Sequence, residues 1–171
     1  MSIENKYQYF VEGDTEKKLL TELKREGNLI IPGTVRVFNV VQKRMSSAML
    51  SSIPNNTTAI LMFDTDTKKV DILMENLSKL GNNKSVKETW CVMQVENLED
   101  ELIRSTDIKE IKDLTDSRSN TDFKRDIIRE KNLMTKLRNH NFDLAKMWVT
   151  EPSKEYVAIE NKGVRLKIEE V

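Results

Sequence analysis

The chain has 171 residues and a mass of 19.9 kDa, the size of one ordinary domain. Lys plus Arg (28) equals Asp plus Glu (28), so a polybasic nucleic-acid binder is disfavoured and only a local basic face stays open. A single cysteine, Cys91, and a single histidine, His140, exclude an internal disulfide framework, a Cys-rich zinc site and a two-His metal motif.

Tyr7 to Val11 is rich in aromatic and β-branched residues and predicts a first strand. Asp14 to Arg25 follows as an amphipathic helix, with Leu19, Leu20 and Leu23 on one face and Lys17, Lys18, Glu22 and Lys24 on the other. Thr34 to Val41 predicts a second strand. Gln42 to Ser52 has helical spacing, with serines that lower its propensity. Thr58 to Phe63 predicts a third strand, and its Ala59-Ile60-Leu61-Met62-Phe63 run is apolar on both faces, as in a central parallel strand. Lys69 to Leu80 is helical in spacing, with Gly81 placed as its C-cap. Thr89 to Val95 predicts the fourth strand, and Glu96 to Arg104 the next helix. Asp107 to Asn120 is polar and reads as a surface loop or short helix. Thr121 to Arg138 returns to helical spacing, capped by Thr121 or Asp122. Tyr156 to Ile159 and Val164 to Ile168, around Asn161-Lys162-Gly163, read as a terminal β-hairpin.

This alternation predicts an α/β, Rossmann-like fold. A mostly parallel four-stranded sheet carries helices on both faces, and a C-terminal helix and β-hairpin are added to it. Residues 1–104 form the core, and residues 105–171 form an extension packed on the same domain. Met1 to Lys6 carries no signal-peptide pattern, and no apolar run reaches membrane-spanning length, so a cytoplasmic protein with no membrane partner is expected.

In such sheets ligands sit beyond the carboxyl ends of the strands. The first strand ends in Val11-Glu12-Gly13-Asp14-Thr15-Glu16, and the third in Phe63-Asp64-Thr65-Asp66-Thr67. Gly13 permits close approach of the backbone to a ligand. Adjacent strands would bring Glu12, Asp64 and Asp66 together, with Glu16 in the first turn of the following helix. A lone Asp-x-Asp is often only a turn, but the two acidic strand ends together favour a site. All-oxygen donors suit Mg²⁺ or Mn²⁺, which serve phosphoryl-transfer or phosphodiester chemistry.

The pair Val11-Glu12-Gly13-Asp14-Thr15-Glu16-Lys17 and Phe63-Asp64-Thr65-Asp66 resembles the TOPRIM domain, in the form found in OLD-family nucleases and RloB-like proteins of bacterial defence loci. The resemblance spans roughly residues 6–104 in order and spacing. It implies a Glu12 acid/base or ligand and a Mg²⁺-binding Asp64 and Asp66. It also implies a second glutamate at Glu16 and a late acidic residue after the fourth strand. Glu99 is favoured for that last role, with Glu96 the alternative. The resemblance further implies a Mg²⁺- or Mn²⁺-dependent nuclease acting on DNA or RNA, in a bacterial or phage defence setting. Glu12, Glu16, Asp64, Asp66 and Glu99 would be both its catalytic and its metal-holding residues.

Phosphate contacts are expected from Lys43 and Arg44, which come after the second strand. Arg125 and Arg129 share a helix face in a basic run that also holds Lys124, Lys131, Lys136, Arg138 and Lys146. Asp126 and Glu130 interleave there, so a solvated face competes with the phosphate reading. His140 reads as an exposed structural residue, Cys91 as a buried inert thiol, and Trp148 as core. The competing function is a non-catalytic TOPRIM-fold module that gates a separate partner such as an ATPase, and a homodimer fits either reading. A phospho-receiver is disfavoured, since no paired acid joins Glu12 and no lysine is placed for it.

Overall fold

The computed structural model describes residues 4–26 and 28–168. The fold is α/β, with one four-stranded sheet in which every pairing is parallel. The strands are β1 (Lys6–Val11), β2 (Thr34–Val37), β3 (Thr57–Asp64) and β4 (Val86–Gln94), in the order β2-β1-β3-β4. The two central strands are therefore the two that end in carboxylates. The helices are α1 (Asp14–Arg25), α2 (Ser47–Ser51), α3 (Asp71–Gly81), α4 (Leu98–Ser105), α5 (Lys112–Thr115), α6 (Phe123–Arg129) and α7 (Leu133–Asn139).

Alternation along the strands divides the core into two layers. Tyr9, Val11, Ile60, Met62 and Val92 face α1 and α4, and the same layer takes in Phe123, Ile127, Leu133 and Leu137 of α6 and α7. Phe10, Leu61, Phe63 and Met93 face the other way, onto Leu73 and Leu80 of α3. Trp148 is buried in the first layer, as the sequence predicts. Cys91 is buried too, and burial pushes its thiol up to about 12, so the inert reading holds. No helix among the described residues is long and apolar enough to cross a membrane.

Several elements depart from the sequence expectation. β2 stops at Val37, because the Asn39 side chain accepts from the N–H groups of Val41 and Gln42 at 3.0 Å and turns the chain. The helix expected over 42–52 shrinks to α2, capped by Ser46. Gly81 closes α3 from inside, and Asn82 is the cap. The helix expected over 121–138 breaks at Glu130–Asn132 into α6 and α7, and neither Thr121 nor Asp122 makes a side-chain capping bond to α6. The terminal hairpin does not form. Tyr156 ends a short 3₁₀ turn, Lys154–Tyr156, with turn and bend after it; the second run falls largely in another, Gly163–Leu166, and the tail bridges to the body instead, Asn161 to Cys91 and Lys167 to Ile30.

Gly163 shows how tightly this tail is seated. A Cβ built there would lie 2.4 Å from the Trp148 carbonyl oxygen. Gly163→Ala is expected to destabilise the protein by about 2–3 kcal/mol, read as a lowered urea midpoint at unchanged m-value.

Candidate active site

The strand register brings the acids together. Val11 pairs with Met62 and Asp64 pairs with Gln94, so Glu12, Asp64 and Gln94 meet at the carboxyl edge. Both oxygens of Glu12 are held: Oε1 accepts from Asn39 Nδ2, and Oε2 accepts from the Asp64 backbone N–H at 2.9 Å. Asp64 Oδ1 accepts from Gln94 Nε2 at 2.7 Å. Gln94 is wholly buried, and its Oε1 has no hydrogen-bond partner.

Glu16 enters from the first turn of α1 and is only 7% exposed. Burial raises its carboxyl above the usual range; its own backbone N–H opposes that rise, and the charge on Glu12 adds to it. Asp64 is raised further, by burial first and then by the charge on Glu12. Gly13 leaves room beside Glu16, since a Cβ there would lie 3.3 Å from Glu16 Oε2.

Glu12, Glu16, Asp64 and Glu99 line one cavity of about 230 Å³, together with Lys124. Asp64, Glu99 and Lys124 also line an adjoining lobe of about 440 Å³ that takes in Asp66 and Asp100. Among the described residues, no three His, Cys, Asp or Glu side chains stand placed to hold a metal ion together; the acids line the cleft walls apart. The loop carrying Asp64 and Asp66 is fixed on two sides. Thr65 N–H donates to the carbonyls of Gln94 and Glu96 at 3.1 Å, and Tyr156 Oη donates to the Thr67 carbonyl at 2.7 Å.

The structure separates the two candidates for the late acid. Asn97 caps α4 by accepting from Asp100 N–H at 2.9 Å, which leaves Glu96 outside the helix, exposed, at φ 63°. Glu99 is the second residue of α4, in its first turn, and lines the cleft.

The predicted phosphate ligands fare differently. Arg125 is bound to Asp122 and Asp126 on its own helix, and Arg129 lines a separate hollow with Glu130 and Lys131, so neither joins the acids. Their neighbour Lys124 is the one that does, 3.3 Å from Glu99 Oε1. Glu99 raises the Lys124 ammonium, with help from Glu16 and Asp64. Arg44 is paired with Glu75 at 2.7 Å, outside the cavity that holds Glu12 and Glu16. Lys43 is exposed on the turn after Val41. His140 lies beside Asp107, at 3.1 Å, and takes no part.

Asn39 and Gln94 are the residues that sequence reasoning does not single out. Asn39 stands within an expected strand, where asparagine is disfavoured, and that is the one signal that could have found it. Comparison with known proteins returned no matching protein-family model, no matching curated protein and no matching solved structure.

Proposed function

We propose that this chain is a Mg²⁺- or Mn²⁺-dependent nuclease of the TOPRIM kind, hydrolysing phosphodiester bonds of DNA or RNA. The carrying observation is the convergence of Glu12, Glu16, Asp64 and Glu99 on one cavity at the carboxyl edge of a parallel sheet, with Lys124 as its cation. The residues fit a hard divalent cation by donor chemistry. All are oxygen donors, burial and mutual repulsion push Asp64 and Glu16 up, and Gln94 Oε1 is an orphaned acceptor beside them. Asp64, Glu16 and Glu99 would hold the ion, with Asp66 at the adjoining lobe. When bound, it would supply polarisation of a phosphate oxygen and a more acidic water.

The chain's own groups divide the remaining work. Glu12 is fixed by two donors and stands where it can take a proton from attacking water at an Oε atom. Lys124 lines the cleft from α6 and would meet a non-bridging phosphate oxygen of a bound substrate. In this reading it takes the role that the sequence suggests for Arg125 and Arg129.

The test is cleavage of labelled single- and double-stranded DNA and RNA with Mn²⁺, Mg²⁺ or EDTA. Metal-dependent cleavage is expected in the wild type and lost in Glu12→Ala and Asp64→Ala. Cleavage that survives both substitutions would place the activity elsewhere. Folded, metal-binding protein that cleaves nothing would favour the partner-gated, non-catalytic module.

A further inference from the structure

The chain satisfies its other buried carboxylates with cations. Glu22, 5% exposed, meets Lys18 at 2.8 Å and Arg25 at 2.7 Å. Glu101, fully buried, meets Arg104 at 3.1 Å. The cleft is built otherwise. Among the described residues no ion pair involves Glu12, Glu16 or Asp64, and the side chains that hold Glu12 and Asp64 are the neutral amides of Asn39 and Gln94. The Gln94 amide also opposes the rise of Glu16.

An arginine in either place would fix the same geometry and cancel the charge. An amide donor fixes the geometry and leaves the charge uncompensated. From this contrast we infer that Asn39 and Gln94 are positioning residues. Asn39 sets Glu12, and Gln94 sets Asp64 against Glu16, so that the carboxylates keep the net negative charge a divalent cation needs. The inference rests on the metal-dependent reading above. Asn39 can do this because its two polar side-chain atoms have separate partners. Oδ1 holds the turn at Val41 and Gln42, and Nδ2 is left to donate to Glu12. Gln94 can do it because its register with Asp64 fixes it at the same level of the sheet.

The two variants are chosen to keep charge and fold. Asn39→Ser retains an oxygen acceptor for the turn and loses the donor to Glu12. Gln94→Met retains the volume and loses the donor to Asp64. The readout is Mn²⁺ binding to the full chain by titration calorimetry, with unfolding in EDTA followed in parallel. Each variant is expected to bind Mn²⁺ about 10–100-fold more weakly than the wild type, with a cooperative transition retained in EDTA. Either variant binding as tightly as the wild type would overturn its assignment, whatever its stability. A wild type that binds no Mn²⁺ would overturn the metal-dependent reading itself, and this inference with it. Should Gln94→Met not fold, Asn39→Ser, at a partly exposed position, still decides the Glu12 half.

Discussion

Asp64→Asn is expected to lower the proposed metal-dependent cleavage by about 10³-fold and, in EDTA at pH 8, to raise stability by about 1–2 kcal/mol. Both effects come from the same carboxylate. Asp64 ends β3 and is raised from 3.8 to about 9, by burial first and by the charge on Glu12 second. Below the lower value, folded and unfolded chains both hold the proton. Between the two values the folded chain keeps a proton that the unfolded chain releases, so stability falls as pH climbs through that window. The metal-free wild type should therefore resist urea better at pH 5 than at pH 8. Glu16, raised for the same leading reason, adds to the slope. An asparagine at 64 can still accept from Gln94, carries no charge, and should flatten the dependence. Mn²⁺ should reverse the comparison, stabilising the wild type at pH 8 more than the variant. Urea midpoints at the two pH values, with EDTA or Mn²⁺, measure all of this. An unchanged pH slope in the variant would remove Asp64 as its source.

The residues that announced the cleft were those whose position follows from local pattern. Ala59 to Phe63 is apolar on both faces, so β3 had to be central, and Asp64 then had to stand at its end. Gly13 and Glu16 follow from the strand-to-helix turn. What could not be read was anything that depends on register between strands. Gln94 is one residue of a hydrophobic run until its pairing with Asp64 is known. Lys124 is one cation of a basic segment until Phe123 and Ile127 are seen to seat α6 in the core layer beside α1. The side of a helix that meets a distant cleft depends on which of its residues the core takes. Local periodicity made Arg125 and Arg129 as plausible as Lys124. The tail failed as a hairpin for a related reason. Its alternation was real, but its bridges run from Lys167 to Ile30 and from Asn161 to Cys91, partners far away in sequence that local pattern cannot reveal.

Glu101 was equally illegible, and its removal should have the largest effect on stability. In the sequence it is one of the acids in Glu96-Asn97-Leu98-Glu99-Asp100-Glu101. In the structure it is fully buried and joins three parts of the chain. Its Oε1 accepts from Val95 N–H at 3.0 Å and lies 3.1 Å from Arg104, and its Oε2 accepts from Trp148 N–H at 2.9 Å. That last bond pins a residue held at φ 58°, a conformation that is strained for a tryptophan. Glu101→Ala leaves two buried N–H groups without acceptors, leaves Arg104 without its carboxylate, and opens a void. The expected loss is about 3–5 kcal/mol, a large part of the stability of a domain this size. Glu101→Gln keeps the shape and one acceptor and should lose about 1–2 kcal/mol. Glu96→Ala, at an exposed position, should stay within about 0.5 kcal/mol. Urea unfolding followed by tryptophan fluorescence separates the three. Amide exchange should show residues 141–168 opening earlier in Glu101→Gln than in the wild type, because the Trp148 bond is one of the ties between that tail and α4, beside Asp143 N–H to the Ser105 carbonyl at 2.8 Å. A Glu101→Ala loss no larger than that of Glu96→Ala would mean that the buried bonds of Glu101 add nothing to the hold on the tail.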